Sequence, residues 1–414
     1  MRVTTPTRSS RDEQEPCTAL LLENIHPVAE ELLSAAGMKV RTMPGALDES
    51  ELVEALQDVD LLGIRSKTQV TSAVLEQAPR LLSIGAFCIG TNQIDLKAAS
   101  KRGVAVFNAP FSNTRSVVEL ALAEVIALTR RLTQKNHSLH SGLWDKSASG
   151  AHEVRGRRLG IVGYGNIGSQ LSVLAEGLGM SVSFYDVADK LALGNAQSRS
   201  TLEQVLEEAD VVSLHVDGRP GNAGIFGEEQ FSRMKPGAIF INLSRGFVAD
   251  HEALREHILS GHLSGAAIDV FPDEPKRQGD EFHSTLRGLP NVILTPHIGG
   301  STEEAQEDIG RFVAGKLYDF VRNGATTLSV NLPGVALEHA PGTHRLAHLH
   351  HNVPGVLARV NAVLGDRGVN IEGQVLTTLG DLGYLLTDVG LDYAPDVIAE
   401  LAGLPETVEL RIID

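Results

Sequence analysis

The sequence predicts an α/β protein with two parallel-sheet domains and a small third domain at its C-terminal end. Short apolar runs alternate with helical stretches over most of the 414 residues. A Gly-x-Gly-x-x-Gly spacing follows one of these runs near the middle of the chain. After a stretch rich in Pro and Gly, residues 344–414 follow the order βαββαβ, which is typical of a ferredoxin-like fold.

The composition excludes several classes of protein. Hydrophobic residues make up 42% and charged residues 21%, as in soluble globular proteins. The formal net charge of -16 argues against nucleic acid and against a membrane as partners, although it allows a small anionic substrate. The two cysteines, Cys17 and Cys88, are too few for a disulfide framework and indicate a reducing compartment. Because residues 1–16 are polar and lack an apolar core, we expect a disordered tail and a cytoplasmic protein.

The first α/β region follows this tail. Its helix over 28–36 is closed by Gly37, as a helix C-cap would be. Residues 116–132 then read as one long, largely apolar helix that could connect two domains. The predicted strands of the region are the buried apolar runs 19–22, 61–64, 82–84 and 104–107.

The second α/β region opens with a βαβ unit. A buried strand over 159–162 leads into the glycine loop, a helix covers 169–178, and a strand over 181–185 ends on Asp186. The glycine spacing alone would only mark a turn. A strand before it, a helix after it and an acid roughly 20 residues later are the context that a dinucleotide-binding fold requires.

Each glycine of the loop has a physical role in that fold. Gly163 permits the tight turn, Gly165 lets the backbone approach a pyrophosphate, and Gly168 lets helix and strand pack closely. The helix N-terminus offers free N–H groups to the phosphates. Asp186 can accept hydrogen bonds from the ribose and disfavours the 2′-phosphate of NADP, so the cofactor is predicted to be NAD.

The region continues through four more strands and ends in a long helix. The helix over 303–321 is amphipathic and needs a surface to cover, so we expect it to return to the first domain. A shorter helix is predicted over 252–259. The predicted strands are 211–214, 238–241, 265–268 and 292–294.

Three polar residues follow strands of this region. Arg245, Glu274 and His297 all come after predicted strands, and ligands of an open α/β sheet bind beyond the carboxyl ends of its strands. His297 can take the proton of a substrate hydroxyl while a hydride leaves for NAD, and Glu274 can orient the imidazole. Arg245 can hold a carboxylate bidentately. Singly each would more often be structural, but together they predict a catalytic site.

The chain resembles the D-isomer-specific 2-hydroxyacid dehydrogenases, and in particular those members that carry a C-terminal ACT domain. The resemblance covers nearly everything after the tail. The blocks that carry it are residues 63–66, 87–93, 107–116, 159–168, 242–246, 265–275 and 294–301. The family's catalytic Arg, Glu and His match Arg245, Glu274 and His297.

The resemblance also implies the domain organisation. A discontinuous flavodoxin-like substrate domain would cover 17–112 and 303–336, and a Rossmann NAD-binding domain would cover 113–302. A linker over 337–343 would lead to a ferredoxin-like ACT regulatory domain over 344–414. No metal is expected.

The resemblance further implies binding residues. Positions matching Arg65, Ser66, Lys67, Asn113 and Gln306 bind the hydroxy acid, with Arg65 and Lys67 able to supply charge for a phosphate. Positions matching His350, Asn352 and Asn370 hold L-serine at an interface of two ACT domains. The implied cofactor contacts are Gly163, Gly165, Asn166, Ile167, Gly168, Asp186, His215, Leu243, Ser244, Arg245, Asp269, His297, Ile298, Gly299 and Gly300.

The expected reaction is the NAD-dependent oxidation of 3-phospho-D-glycerate to 3-phosphooxypyruvate, the first step of L-serine biosynthesis. L-serine is the expected feedback inhibitor, and the protein is expected to be a homotetramer. Alternatives remain open at this point: a dehydrogenase of another D-2-hydroxy acid such as a 2-oxoglutarate reductase, a non-catalytic NAD-sensing regulator, or a protein whose main role is amino-acid binding by the ACT unit. Lys67 could be a solvated side chain, and the ACT unit could serve dimerisation alone or hold a metal through its histidines.

Overall fold

The computed structural model describes residues 16–275 and 279–413, which form two compact units. The first unit is drawn from the chain up to Pro110 and from Gln306 onwards, and the second is Phe111–Ala305. The tail predicted over residues 1–16 lies outside the described residues except for Pro16. Among the helices of the described residues, none has the length and apolar character that a bilayer crossing requires.

The first unit begins with a five-stranded parallel sheet. Its order β2-β1-β3-β4-β5 is that of a flavodoxin-like fold, as predicted. Its strands are β1 (Thr18–Leu21), β2 (Lys39–Thr42), β3 (Leu61–Ile64), β4 (Ser83–Ala86) and β5 (Ala105–Asn108). Its helices are α1 (Pro27–Ala35), α2 (Glu49–Ala55), α3 (Ser72–Glu76) and α4 (Leu96–Lys101).

The second unit contains a seven-stranded parallel sheet of order β12-β11-β10-β9-β6-β7-β8. The order reverses between β6 and β9, which is the point where dinucleotides bind in doubly wound sheets. The helices are α5 (Thr114–Thr129), α6 (Leu132–His140), α7 (Asn166–Gly177), α8 (Leu202–Glu208), α9 (Glu228–Arg233) and α10 (His251–Leu259). The strands are β6 (Arg158–Val162), β7 (Ser181–Tyr185), β8 (Gln197–Ser198), β9 (Val211–Leu214), β10 (Ala238–Asn242), β11 (Leu263–Ile268) and β12 (Val292–Leu294).

The single helix predicted over 116–132 is wrong at its C-terminal end. Helix α5 stops at Thr129, and Arg131 adopts a left-handed backbone with φ of 51° before α6 starts. The apolar pattern of α5 runs into Leu132 without a Gly or Pro, so the sequence holds no stop signal there. The helix predicted over 169–178 instead begins at Asn166, inside the glycine loop.

The chain then enters the long helix α11 (Glu303–Asn323) and the third sheet. This sheet is antiparallel with the order β14-β15-β13-β16, which is the ferredoxin-like order that βαββαβ predicted. Its elements are β13 (Thr343–His351), α12 (Val356–Asp366), β14 (Ile371–Leu379), β15 (Leu382–Gly390), α13 (Pro395–Ala402) and β16 (Thr407–Ile413).

The third sheet shares a hydrophobic core with α11 inside the first unit. Phe320 of α11 belongs to the same buried cluster as Leu386 and Ile413 of the sheet. Arg345 and Asp388, cross-strand partners on β13 and β15, form a fully buried bidentate ion pair with N···O distances of 2.7 Å. The remaining guanidinium nitrogen of Arg345 donates to two carbonyl oxygens, Asn323 O at the C-terminal end of α11 and Leu337 O in the segment between α11 and β13.

Candidate active site

The glycine loop lies between β6 and α7 and has the shape of a phosphate cradle. Gly163 has φ of 93°, and a Cβ there would lie 2.7 Å from the carbonyl carbon of His215. A Cβ on Gly168 would lie 2.3 Å from the carbonyl oxygen of Gly163. By contrast, nothing lies within 4 Å of a Cβ position on Gly165, directly before the first helical residue, Asn166. Close packing therefore requires glycine at positions 163 and 168, whereas the space beside Gly165 is open at the N-terminus of α7.

Asp186 follows β7, beside this loop. Its Oδ2 accepts the N–H of Tyr164 at 2.8 Å and its Oδ1 accepts the N–H of Ala188 at 2.9 Å. These bonds fix the carboxylate at the end of the strand, and each oxygen keeps a further lone pair for a ribose hydroxyl. Ile167, also predicted to contact the cofactor, lies in the first turn of α7.

His215 closes the other side of the glycine loop. Its Nε2 and the Ser213 hydroxyl are 2.8 Å apart, and burial lowers the pKa of His215 to about 4, so the ring is neutral. Further along, Asp217 binds the guanidinium of Arg219. The loop after β9 therefore carries an ion pair of its own.

Asn242, at the end of β10, builds the turn that carries Leu243, Ser244 and Arg245. Its Oδ1 accepts the N–H of Ser244 at 3.0 Å and the Ser244 hydroxyl at 2.7 Å, and its Nδ2 donates to Arg245 O at 3.1 Å. The side chain of Arg245 donates to Ser244 O at 2.7 Å. Its other N–H groups have no hydrogen-bond partner in the described part of the chain, so they are available to an anion.

The loop after β12 is held by Asp269, which is 2% exposed. Its carboxylate accepts Thr295 Oγ1 at 2.6 Å and the N–H groups of Ile298 and Gly299, both at 2.8 Å. These contacts enclose His297, whose φ of 54° lies in the left-handed region that only a well-determined surrounding can maintain in a non-glycine residue.

His297 and Glu274 form a hydrogen-bonded pair. His297 Nδ1 lies 2.9 Å from Glu274 Oε2 and 3.0 Å from Oε1, and Phe271 N–H also donates to the carboxylate. The hydrogen bond to Glu274 raises the pKa of His297 despite burial. Burial would raise the pKa of Glu274, but the hydrogen bond and charge of His297, assisted by Arg245, outweigh it and lower that pKa. His297 Nε2 has no partner in the described residues and is the nitrogen left for a substrate proton.

Asn113 lies at the N-cap of α5 in the same unit. Its side chain packs so closely on Gly300 that a Cβ there would lie 2.0 Å from Asn113 Nδ2. Asn113 Oδ1 is buried without a hydrogen-bond partner among the described residues, so it is an acceptor without a donor.

The remaining substrate candidates belong to the first unit. Arg65, half-buried, Ser66 and Lys67, both exposed, form the loop after β3. Gln306 lies in the first turn of α11 and is half-buried.

The predicted effector residues lie at opposite ends of the third sheet: His350 and Asn352 are at the C-terminal end of the inner strand β13, and Asn370 directly precedes β14 at the other end. His350 is 2% exposed, lies against Gly383 and has a buried Nε2 without a partner among the described residues. Asn352 and Asn370 are exposed, and their Nδ2 atoms donate to Gly380 O at 3.2 Å and Glu372 Oε1 at 2.7 Å. Burial lowers the pKa of the neighbouring His348 to about 3, so it stays neutral.

Two polar residues of the second unit were not found from the sequence. Asn242 builds the arginine turn, and its position directly at a strand end was an available signal. Glu124 of α5 is 2% exposed, with both carboxyl oxygens buried and without partners in the described residues. It lies on the apolar stripe formed by Val117, Ala121 and Leu128, so helical spacing could have marked it as buried.

Comparison with known proteins agrees with this geometry. Residues 122–299 match the model of the D-isomer specific 2-hydroxyacid dehydrogenase NAD binding domain, and residues 346–409 match that of the AHAS small subunit-like ACT domain. D-3-phosphoglycerate dehydrogenase of Haemophilus influenzae is 49% identical over 395 residues, covering 95% of this chain and 96% of the relative. The corresponding enzyme of Escherichia coli K12 is 48% identical and covers 97% of this chain and 98% of the relative. The solved structure of D-2-hydroxyisocaproate dehydrogenase matches with a TM-score of 0.70 at 27% identity, over 76% of this chain and 99% of that one.

Proposed function

Because the chain belongs to the D-3-phosphoglycerate dehydrogenase family within the D-isomer-specific 2-hydroxyacid dehydrogenases, we propose that it oxidises 3-phospho-D-glycerate to 3-phosphooxypyruvate with NAD. This reaction is the first step of L-serine biosynthesis. The observation that carries the proposal is the pair of His297 and Glu274, 2.9 Å apart, on loops that follow strands of a dinucleotide-binding sheet. A carboxylate-oriented imidazole is the base that removal of a hydroxyl proton requires.

The residues around the glycine loop fit NAD. The open space at Gly165, the N-terminus of α7 and the carboxylate of Asp186 supply a pyrophosphate cradle and a ribose acceptor. When bound, NAD accepts the hydride from C2 of the substrate. The negative charge of Asp186 would repel a 2′-phosphate, which favours NAD over NADP.

The protein's own groups divide the work on the substrate. With its Nδ1–H donated to Glu274, His297 presents Nε2 to the C2 hydroxyl and takes its proton. The charge that develops on the imidazole is stabilised by the ionised carboxylate, whose pKa is already lowered. Arg245 holds the substrate carboxylate through its unoccupied N–H groups and keeps C2 oriented.

The phosphate is assigned to Arg65 and Lys67. Neither side chain forms an ion pair with a described residue, so both positive charges are available to a dianion. Lysine lacks the forked geometry of arginine, so Lys67 would contribute charge more than direction. Ser66, Asn113 and Gln306 are assigned to the same substrate as polar contacts.

We further propose that the enzyme is a cytoplasmic homotetramer. Helix α6 buries none of its residues, and the segment that it begins exposes large apolar side chains, with Trp144 81% exposed. Leu132, Leu139 and Leu143 are each more than half exposed. Exposed apolar side chains grouped on α6 and the residues after it suit contact with a second copy of the chain.

The ACT domain suggests control by an amino acid, and L-serine, the end product, is our candidate effector. His350, Asn352 and Asn370 are the proposed contacts, with the carboxamides offering both donors and acceptors to an amino acid. The buried Arg345 connects this sheet to the C-terminal end of α11, and Gln306 lies in the first turn of the same helix. A change in the sheet therefore has a rigid element through which it can act on a substrate contact.

A substrate panel tests the proposed reaction. The purified protein should reduce NAD with 3-phospho-D-glycerate and much less well with D-glycerate, D-lactate or D-2-hydroxyglutarate. His297→Ala should lower kcat by roughly 100-fold or more, and His257→Ala, on α10 outside the site, is the matched control. Equal rates on phosphorylated and unphosphorylated glycerate would contradict the phosphate assignment, and NAD binding without turnover on any 2-hydroxy acid would favour a sensor.

A further inference from the structure

A buried carboxylate outside the catalytic pair holds the backbone of the loop that carries Arg65 and Lys67. Glu23 lies two residues after the end of β1, is 7% exposed and accepts two backbone N–H groups. Its Oε2 accepts Lys67 N–H at 3.0 Å, and its Oε1 accepts Thr68 N–H at 2.8 Å. The carboxylate thus connects the loops that follow two adjacent strands, β1 and β3.

The backbone at Glu23 is strained. Glu23 has φ of 62° and Asn24 has φ of 53°, two consecutive non-glycine residues in the left-handed region. Such conformations persist only where surrounding contacts determine them, and they concentrate at functional sites. This backbone conformation directs the Glu23 side chain toward the loop after β3, where its carboxylate is buried.

The same loop is held from its other side by Gln93, which is 6% exposed. Gln93 Nε2 donates to Arg65 O at 2.5 Å and to Gly90 O at 3.3 Å. The backbone between Arg65 and Thr68 is therefore fixed at one carbonyl and two N–H groups by two buried side chains. Preorganisation of this kind reduces the ordering cost of binding a ligand.

The contacts also preserve the positive charge of the loop. Both oxygens of Glu23 accept main-chain N–H groups, and its carboxylate is paired with neither the Arg65 nor the Lys67 side chain. A neutral glutamine at this position would keep the volume but offer a single acceptor oxygen. Its NH2 group would then face the N–H of Lys67 or Thr68, donor against donor.

We propose that Glu23 is a positioning residue that gives the enzyme its preference for phosphorylated hydroxy acids, by fixing the loop from which Arg65 and Lys67 bind the phosphate. The proposal rests on the proposed function, since it takes the phosphate to be bound by these two cations. Glu23 itself contacts no substrate and acts through the main chain of the loop.

Steady-state kinetics of Glu23→Gln test the proposal. The loss of one charge-assisted hydrogen bond predicts a KM for 3-phospho-D-glycerate that is roughly 10- to 100-fold higher. The KM for NAD and the kcat should change by less than about 3-fold, and kcat/KM should fall far less for D-glycerate than for 3-phospho-D-glycerate, because D-glycerate lacks the phosphate and meets only Ser66 of the loop. Inorganic phosphate should inhibit the variant correspondingly less well than the wild type.

Asp60→Asn is the matched control. Asp60, a buried acid directly before β3, accepts a backbone N–H from Thr18 at 2.8 Å, at the start of β1 and not after its end, and also pairs with Arg80 at 3.4 Å. An equal rise in KM for Asp60→Asn, or an equal fall in kcat/KM of Glu23→Gln for both glycerates, would show a general structural effect and overturn the proposal. An unchanged KM in a folded Glu23→Gln protein would overturn it as well.

A second variant keeps the test decisive if Glu23→Gln does not fold. Gln93→Leu removes the donor to Arg65 O and should raise the KM for 3-phospho-D-glycerate in the same selective way; an unchanged KM refutes the proposal. Failure of the wild type to oxidise 3-phospho-D-glycerate would instead refute the proposed function. In that case the inhibition experiment is replaced by calorimetric titration of inorganic phosphate, in which equal affinity of wild type and variant refutes the role of Glu23.

Discussion

Replacing Glu124 by glutamine should remove a pH-dependent loss of stability that the wild-type protein carries in its second unit. Glu124 lies in the middle of α5, 2% exposed, and neither carboxyl oxygen has a hydrogen-bond partner among the described residues. A charge in such a place is strongly disfavoured, so the carboxyl takes up a proton instead. Burial, with the nearby negative charge of Asp269 adding to it, raises the pKa of Glu124 to about 8.

The magnitude follows from the difference between folded and unfolded states. The pKa rises from 4.5 to about 8, an interval of about 3.5 units at about 1.4 kcal/mol each, or about 5 kcal/mol in total. Between pH 4.5 and about pH 8 the Glu124 carboxyl is protonated in the folded state and ionised in the unfolded state. The free energy of unfolding therefore falls as pH rises through this range. Above about pH 8 the loss is complete, and between about pH 6.5 and 8.5 it should amount to about 2 kcal/mol.

Urea unfolding followed by circular dichroism at these two pH values measures the effect. Wild type should lose about 2 kcal/mol more than Glu124→Gln or Glu124→Leu, because neither variant titrates. Glu119→Gln, on the exposed face of the same helix, should retain the wild-type pH dependence. Parallel curves of unfolding free energy against pH for wild type and Glu124→Gln would show that the Glu124 carboxyl has a hydrogen-bond partner and does not titrate in this range.

Three further predictions concern the site and the fold. With neutral His297 as the proposed base, kcat/KM for oxidation should fall as pH drops below the raised pKa of His297. Glu274→Gln should lower that pKa, shift the acidic limb of the profile to lower pH and lower the plateau by roughly 100-fold or more. Arg345→Met should cost about 3–5 kcal/mol in urea unfolding because it leaves Asp388 buried and unpaired, and adding Asp388→Leu should recover most of the loss. Gly163→Ala should weaken NAD binding by roughly 10-fold or more in a fluorescence titration, because its φ of 93° and the backbone 2.7 Å away exclude a side chain. Unshifted pH profiles, no recovery in the double variant, or an unchanged Kd would contradict these predictions in turn.

The sequence was sufficient for features whose cause is local. Strand β6, the glycine loop and Asp186 lie within about 30 residues, and each is required by the same turn chemistry. The alternation of strands and helices likewise determines a parallel sheet, because parallel neighbours need a crossover. The helix break at Arg131 was not predictable in this way, since a left-handed arginine has no local cause in the surrounding residues.

The arrangement of the candidate site was predictable only in part. The rule that ligands bind beyond strand ends brought Arg245, Glu274 and His297 into one region, and the structure joins His297 to Glu274 by a hydrogen bond. Asp269, carried over from the family as a cofactor contact, turned out to hold the Thr295 hydroxyl before His297 and the N–H groups of Ile298 and Gly299 after it. No spacing rule in the sequence predicts these hydrogen bonds, because they join residues 26 to 30 positions apart through the buried Asp269 side chain.

Buried acids divide into two kinds in this protein, and the division explains what the sequence hides. Glu23 and Asp269 each accept backbone N–H groups from loops 44 and 29 residues away, so each of them fixes a loop. Glu124 has no such donor and must stay neutral near pH 7. All three are acids in apolar stretches of the sequence. Only the tertiary arrangement of N–H groups decides which of these acids has a donor, and burial without a donor is what makes the stability of the wild type depend on the protonation of Glu124.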